Sequence, residues 1–446
     1  MGDRGEGEIM NTILDTIDLD EITIPVVKEF LEDEKEREAW RSEKRRKKAQ
    51  FTAMQQLPYE IKVKRAEQRA VEFMIEMEKR GHNCHISVGG LDSITLYLFL
   101  SKIGIDVPGI SVSSIEDKSI QRIHKMLGLE PVKPLKSKVQ VLNEDGFPVL
   151  SKKIAGRINT LQNPTEKNKT VRHAIITGEC GKQGHYAKNS RMQLPKKWLK
   201  LFAGMANEEY GTDYLEAGFP VSNKCCYWVK EKPCDNWAKE HNSYPYLGLM
   251  ASEGGQREEA LIENGCNYYG KTVIRSAPFA PFLRQDLLQL ALDLNIPELG
   301  LLPEIYGKIA RDENGLLFTT DAQRTGCSMC GFGVHLEKRP HRFDRLRERN
   351  YKEWEFYMYR CCKDKATGQK YGWGRVLDYI GVKWEDEYME VYNEKTIISE
   401  FRSGKSIDKI ANDMYLARKG NGAKTSKYDC RKEAEIIVLK YRMSAG

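Results

Sequence analysis

The stretch "CHISVGGLDSITLYLFLSK", residues 84–102, constrains this chain more than any other part of it. His85 to Val88 read as a short strand. Gly89, Gly90, Leu91, Asp92 and Ser93 interrupt it, and Leu96, Leu98, Phe99 and Leu100 resume with the spacing of a helix. A strand that ends in two glycines and opens at once into a helix has few structural uses. The glycines allow a tight turn and a close backbone approach, and the first-turn N–H groups have no partner inside the helix. Together these features cradle an anion such as phosphate. Ser93 adds a hydroxyl donor, and Asp92 can cap the helix or orient a metal or a ribose. The other reading is a plain strand-to-helix turn.

Beyond this motif, strand-like and helix-like segments alternate. "VPGISVSS" (107–114) and "YPYLGLMAS" (244–252) read as strands. "SIQRIHKMLG", "EEALIENG" and the end of "APFLRQDLLQLALDLNIP" read as helices, and "GFPVLSKKIAGRINTLQ" as a turn leading into one. Such alternation implies an α/β fold, a mostly parallel twisted sheet with helices on both faces. Residues 59–80 carry the apolar spacing of an amphipathic helix (Ile61, Val63, Ala66, Ala70, Phe73, Met74, Met77). With 446 residues, two or three units are expected. The reading divides the chain into a charged helical N-terminal extension (1–58), a main domain (59–385) and a small helical C-terminal unit (386–446). Residues 162–215, rich in Asn, Lys, Gly and Gln, form an insertion in the main domain. The run 29–49 changes from acidic to basic, which suits a solvated helix face; phosphate contact by Arg45, Arg46, Lys47 and Lys48 is the alternative.

No apolar run reaches the ~18 residues needed to cross a bilayer, so no membrane partner is expected. The acidic N-terminus lacks a basic-then-apolar leader, which points to a cytoplasmic protein. The net charge of +7 fits a solvated mixed surface as well as it fits a nucleic-acid partner.

The cysteines are many for a cytosolic chain: eleven, and unevenly placed. Cys225-Cys226, Cys327-Ser328-Met329-Cys330 and Cys361-Cys362 are tight groups. Cys84, Cys180, Cys234, Cys266 and Cys430 stand apart and read as small buried hydrophobes. Four thiolates from two segments can surround an iron–sulfur cubane or a tetrahedral zinc ion. Adjacent cysteines share a site only if the backbone is kinked, an arrangement more familiar for clusters. Cys234 is an alternative ligand and His335 a neighbouring donor.

Gly89, Gly90, Asp92 and Ser93 resemble the Ser-Gly-Gly-x-Asp-Ser pyrophosphate loop of the adenine-nucleotide α-hydrolase (PP-loop, HUP-like) superfamily. Val88 stands where that pattern has its first serine. Ser87 lies one residue early, and adjacent strand side chains point to opposite faces. "PVSNKCCYWVKEKP" (220–233), "GLMASEGGQREEALIENGCN" (248–267) and "RTGCSMCGFGVHLEKRPHRFDRLR" (324–347) are similar, in matching order, to the phosphoadenosine phosphosulfate (PAPS) reductase family, above all its long phage- and mobile-element-borne members. The resemblance spans roughly residues 80–385 and makes 59–385 a nucleotide-binding domain. It implies an adenine nucleotide, ATP or PAPS-like, held with or without Mg2+ by Ser87, Gly89, Gly90, Leu91, Asp92, Ser93, Glu253 and Arg257. It also implies a [4Fe–4S] cluster on Cys225, Cys226, Cys327 and Cys330, with zinc as the alternative. Asp92 and Arg257 are the candidate catalytic groups, and Lys224 and Arg324 are nearby cations.

Two departures matter. Gly254 and Gly255 stand where the family is more basic. The C-terminal Glu-Cys-Gly-x-His segment, which supplies a reductase with its nucleophile, is absent: Cys430 lies in "YDCRKEAE", and Glu179-Cys180-Gly181 copies three letters in mid-chain. The tail from Glu394 instead presents apolar faces (Ile397, Ile398, Phe401; Ile407, Ile410, Met414; Ala434, Ile437, Val438) around Gly404. It reads as a helix-turn-helix-like unit with Arg418, Lys419, Lys424 and Lys427 in a loop, suited to nucleic acid or to a protein partner. Three functions remain open: nucleotide-dependent activation of an acceptor or sulfur transfer, sulfite-forming reduction of PAPS, and a catalytically weak binding subunit.

Overall fold

The computed structural model describes residues 25–179, 192–385, 394–420 and 426–445. The expectations for residues 1–24, Cys180, Lys424 and the boundary at 386 fall outside these. The described residues form two compact units: residues 25–138, 156–179, 192–216 and 224–328, and residues 139–155, 217–223, 329–385, 394–420 and 426–445.

The first unit contains the main sheet. Its strands are β1 (Asn83–Ser87), β2 (Gly109–Ser111), β3 (Glu130–Pro131), β4 (Ser243–Tyr246), β5 (Asn267–Tyr269) and β6 (Ile274–Ser276). They lie in the order β3-β2-β1-β4-β6-β5. All neighbouring pairs are parallel except β5 with β6. The expected α/β class with a mostly parallel sheet is therefore present. Parallel neighbours need long crossovers. Helices Leu91–Lys102 and Lys118–Met126 supply them between β1, β2 and β3.

β1 shows why the sheet forms. Its alternate residues Cys84 and Ile86, followed by Val88, enter a core shared with Ala70, Phe73 and Met77 of helix Tyr59–Lys79 and with Leu287 and Leu288 of helix Arg284–Asp293. His85, facing the other way, packs edge-on against Trp237 at 5.1 Å. The strand is covered on both faces, but Asn83, His85 and Ser87 make it more polar than the continuous apolar run usual for such a position.

The elements differ from the sequence reading at their ends. "VPGISVSS" yields only β2, and "YPYLGLMAS" contributes to β4 and then leaves the sheet for a 3-10 turn, Ala251–Glu253. The helix Pro25–Gln55 is long, and its basic end has protein partners: Lys47 meets Glu263 at 2.7 Å and Lys48 meets Glu258 at 3.2 Å. Phe51 is buried with Ala251, Leu261, Ala277 and Ala280.

The second unit contains an aromatic core in which Phe147, Phe343 and Trp373 touch edge to face. At its C-terminal end, helices Glu394–Arg402, Ile407–Gly420 and Lys427–Ala445 bury Ile397, Ile410, Met414, Cys430, Ala434 and Val438 together. Among the described residues no helix is long and apolar enough to cross a membrane.

Candidate nucleotide and thiolate site

The chain runs outward from β1 to β3 and then returns to place β4 on the other side of β1. The strand order thus reverses between β1 and β4, and in open α/β sheets the crevice beyond the carboxyl ends at such a point is the usual ligand site. Gly89 and Gly90 follow β1 at this place. Gly248 follows β4, and a Cβ on it would lie 3.0 Å from the Asp92 carbonyl and the Ser93 Cα. The two loops therefore meet backbone to backbone.

The glycine loop is held from several sides. The Gly89 N–H donates to Ser93 Oγ (2.7 Å), and that hydroxyl donates to the Gly90 carbonyl (3.0 Å). The Leu91 N–H donates to Tyr306 Oη (3.0 Å), which shares a hydrogen bond with the Thr325 hydroxyl (2.7 Å). A Cβ on Gly90 would stand 2.5 Å from Tyr306 Oη, so only glycine fits. His124 Nε2 donates to the Gly89 carbonyl (2.8 Å), while its Nδ1 accepts from Ser113 (2.6 Å), itself bonded to Ser111 (2.7 Å). These roles follow from burial, which lowers the His124 pKa and favours the neutral ring. Two loop donors expected to meet phosphate, the Gly89 N–H and the Ser93 hydroxyl, thus have internal partners. Leu91 and Val88 are buried in the core, and Ser87 is half-buried at the end of β1.

Cations flank the loop. Asp92 accepts from Arg284 Nη1 at 2.7 Å. About a quarter of the Asp92 side chain is exposed (26%), yet packing still raises its pKa, with Arg284 opposing. At the other end, a Cβ on Gly89 would have ordinary contacts with Glu116, the Lys230 ammonium and the Ser93 hydroxyl, at 3.7, 3.9 and 3.9 Å. The glycine leaves that volume open. Lys230 pairs with Glu116 at 2.5 Å. Burial alone would lower its pKa, but Cys327, Glu116 and Cys226 together raise it. One ammonium therefore feels the glycine-loop side, the first cysteine pair and the second cysteine segment.

The cysteine pair begins a helical run, Lys224–Cys226, that continues as a π-helical turn, Tyr227–Glu231, carrying Lys230. Such turns recur at functional sites. Ser328 receives the Lys138 ammonium on its carbonyl (2.7 Å) and gives its N–H to the Ile115 carbonyl (2.9 Å), which fixes the segment after Cys327. Cys330 belongs to the second compact unit, where its carbonyl accepts from Arg342 (3.2 Å). Among the described residues no three His, Cys, Asp or Glu side chains converge as a metal-binding group. Cys234, the alternative ligand, has its thiol pKa pushed up to about 11 by burial.

Glu253 and Arg257 form a salt bridge with each other, and both act electrostatically on Asp92. Arg324 donates to the Glu253 carbonyl at 3.2 Å. Arg257 is half exposed (54%), whereas Glu253 is nearly covered (7%). Sequence reasoning missed Glu116, Lys230, Arg284 and Tyr306. Only Lys230 had a local signal, one helical turn beyond Cys226. No family model, no curated protein and no solved structure matches the chain.

Proposed function

We propose that this chain is a PP-loop protein of the PAPS-reductase type, with the HUP-like form of the α/β fold. It binds an adenine nucleotide on Gly89 to Ser93 and uses it to activate an acceptor or to transfer sulfur. The observation that carries this reading is the shared position of Lys230, beside Gly89 and within electrostatic reach of Cys226 and Cys327. The Lys230–Glu116 ion pair holds that ammonium at the glycine loop, where it adds positive charge beside both cysteine segments.

Cys225, Cys226, Cys327 and Cys330 would hold the [4Fe–4S] cluster, and thiolate donors suit both a cluster and zinc. When bound, the cluster supplies electron-transfer chemistry or an anchor for sulfur. The chain's own residues do the remaining work. The glycines let the phosphates approach, Lys230 offsets their charge, and Tyr306 holds the loop by its hydrogen bond to the Leu91 N–H. In the activation step an acceptor atom attacks the α-phosphorus, the bond to the bridging oxygen breaks, and pyrophosphate leaves with its electron pair. A second nucleophile, a sulfur donor or water, then attacks the adenylated acceptor, and AMP leaves with the electron pair of the acceptor–AMP bond. Positioning and charge stabilisation are the protein's main contributions to such a step.

Sulfite-forming reduction is the rival, and Cys84, Cys234, Cys266, Cys361 and Cys430 are poorly suited to it. It requires a thiolate poised for attack. Burial pushes Cys84 up to about 12 and Cys234 up to about 11, and it raises Cys266. Cys361 is raised by its hydrogen bond with Cys362 and by burial, and Cys430 is fully covered. The test is a pair of assays on reduced, anaerobically prepared protein. Slow, acceptor-dependent formation of AMP and pyrophosphate from ATP is expected, with little sulfite from PAPS and a thiol reductant. Robust sulfite release would reverse the order, and silence in both would favour a binding subunit.

A further inference from the structure

Arg284 is the first residue of the helix Arg284–Asp293, beside the glycine loop, and its guanidinium is only partly used. Nη1 donates to Asp92 Oδ1. Nε and Nη2 are buried and have no acceptor among the described residues. These two atoms form the side edge of the guanidinium, whose N–H bonds run parallel and match two oxygens of a phosphate, sulfate or carboxylate. A charged donor edge shut away from water is unfavourable until an acceptor meets it.

The residue is also fixed in place. The preceding Leu283 N–H donates to the Asp286 carboxylate (2.7 Å), and Asp286 pairs with Lys62, both side chains nearly covered (9% and 4%). The following Gln285 exchanges two hydrogen bonds with Leu317, at 2.6 and 2.7 Å. A cation held this firmly is organised before its ligand arrives.

We infer that the Nε–Nη2 edge of Arg284 binds a tetrahedral oxyanion of the nucleotide, a phosphoryl or sulfo group, at the Asp92 end of the loop. This rests on the nucleotide reading above. Asp92 fixes the fork through Nη1 and leaves its other edge for the ligand. Arg284 thereby supplies a cation that Gly254 and Gly255 do not, while Arg257 is committed to Glu253. With Lys230 beside Gly89 and Arg284 beside Asp92, the loop matches anionic groups spread along an anhydride chain better than one isolated phosphate.

The experiment compares wild type, Arg284→Lys and Arg284→Gln. ATP binding is read by calorimetry and adenosine binding by saturation-transfer NMR. ATP affinity should fall at least tenfold in both variants, because lysine keeps the charge but loses the fork. Adenosine binding should be unchanged. ATP affinity of Arg284→Lys within twofold of wild type would overturn the assignment. So would a matching loss for adenosine, which would mean that Arg284 acts only through the fold. A folded wild type that binds no ATP would remove the nucleotide reading as well.

Discussion

Burial opposes the charge on His85. It is buried against Trp237, its Nδ1 is bonded to Ser243, and burial, with His241 nearby, holds its pKa near 4. The unfolded chain titrates near 6.5. Between those values the unfolded state binds the proton and the folded state does not. Stability from this residue is therefore complete above about pH 6.5 and is lost as the pH falls toward 4, on the order of 3 kcal/mol. His124 is lowered in the same sense. Urea unfolding of wild type from pH 7.5 to 4.5 should show this loss, and His85→Gln should flatten part of it; equal slopes for the two proteins would refute the assignment. At this scale the loop residues were legible, because glycine, aspartate and serine between a strand and a helix announce themselves. Glu116, Arg284 and Tyr306 were not, since each reaches the loop from a segment remote in sequence.

At the scale of elements, the site depends on how the loop after β1 is closed in. Tyr306 is the main contact: it bonds the Leu91 N–H and lies where a Gly90 side chain would go. Tyr306→Phe should cost about 1 kcal/mol through the lost hydrogen bond. Gly90→Ala should cost more and weaken nucleotide binding, because the methyl meets Tyr306 Oη and also Thr325 Oγ1 at 2.7 Å. The double variant should be less damaged than the sum of the two, since removing Oη relieves the closer clash. Strict additivity in denaturant unfolding would contradict the proposed contact. The sequence also told less about strands than about helices. β2, β5 and β6 have only three residues each and β3 only two, too short for a periodic signal. β5 and β6, within "NYYGKTVIRS", carry no alternation that separates them from a loop. The helices at 59–79 and 91–102 show their apolar faces over several turns, and that is why they were legible.

For the whole molecule, the cysteine quartet and the C-terminal helices give separate tests. Anaerobically purified protein should be brown and contain about four iron and four sulfide per chain, and serine at Cys225, Cys226, Cys327 or Cys330 should abolish the colour. Stoichiometric zinc without sulfide would replace the cluster with the alternative metal. Among the described residues, the apolar core of the three C-terminal helices is built from residues within 397–438. Deleting residues 390–446 should therefore leave nucleotide affinity unchanged. If that unit holds nucleic acid, the deletion should also remove an affinity that falls steeply with salt. Arg418 and Lys427 already have partners, Glu433 and the Tyr415 ring, so the contacts would need other basic residues of these helices as well. The most direct measurement is calorimetric titration of folded protein with ATP. One saturable site is expected, with affinity lowered at least tenfold, ~1.4 kcal/mol, by Asp92→Ala. Absence of binding to wild type, or undiminished binding to Asp92→Ala, would contradict a nucleotide site on Gly89 to Ser93.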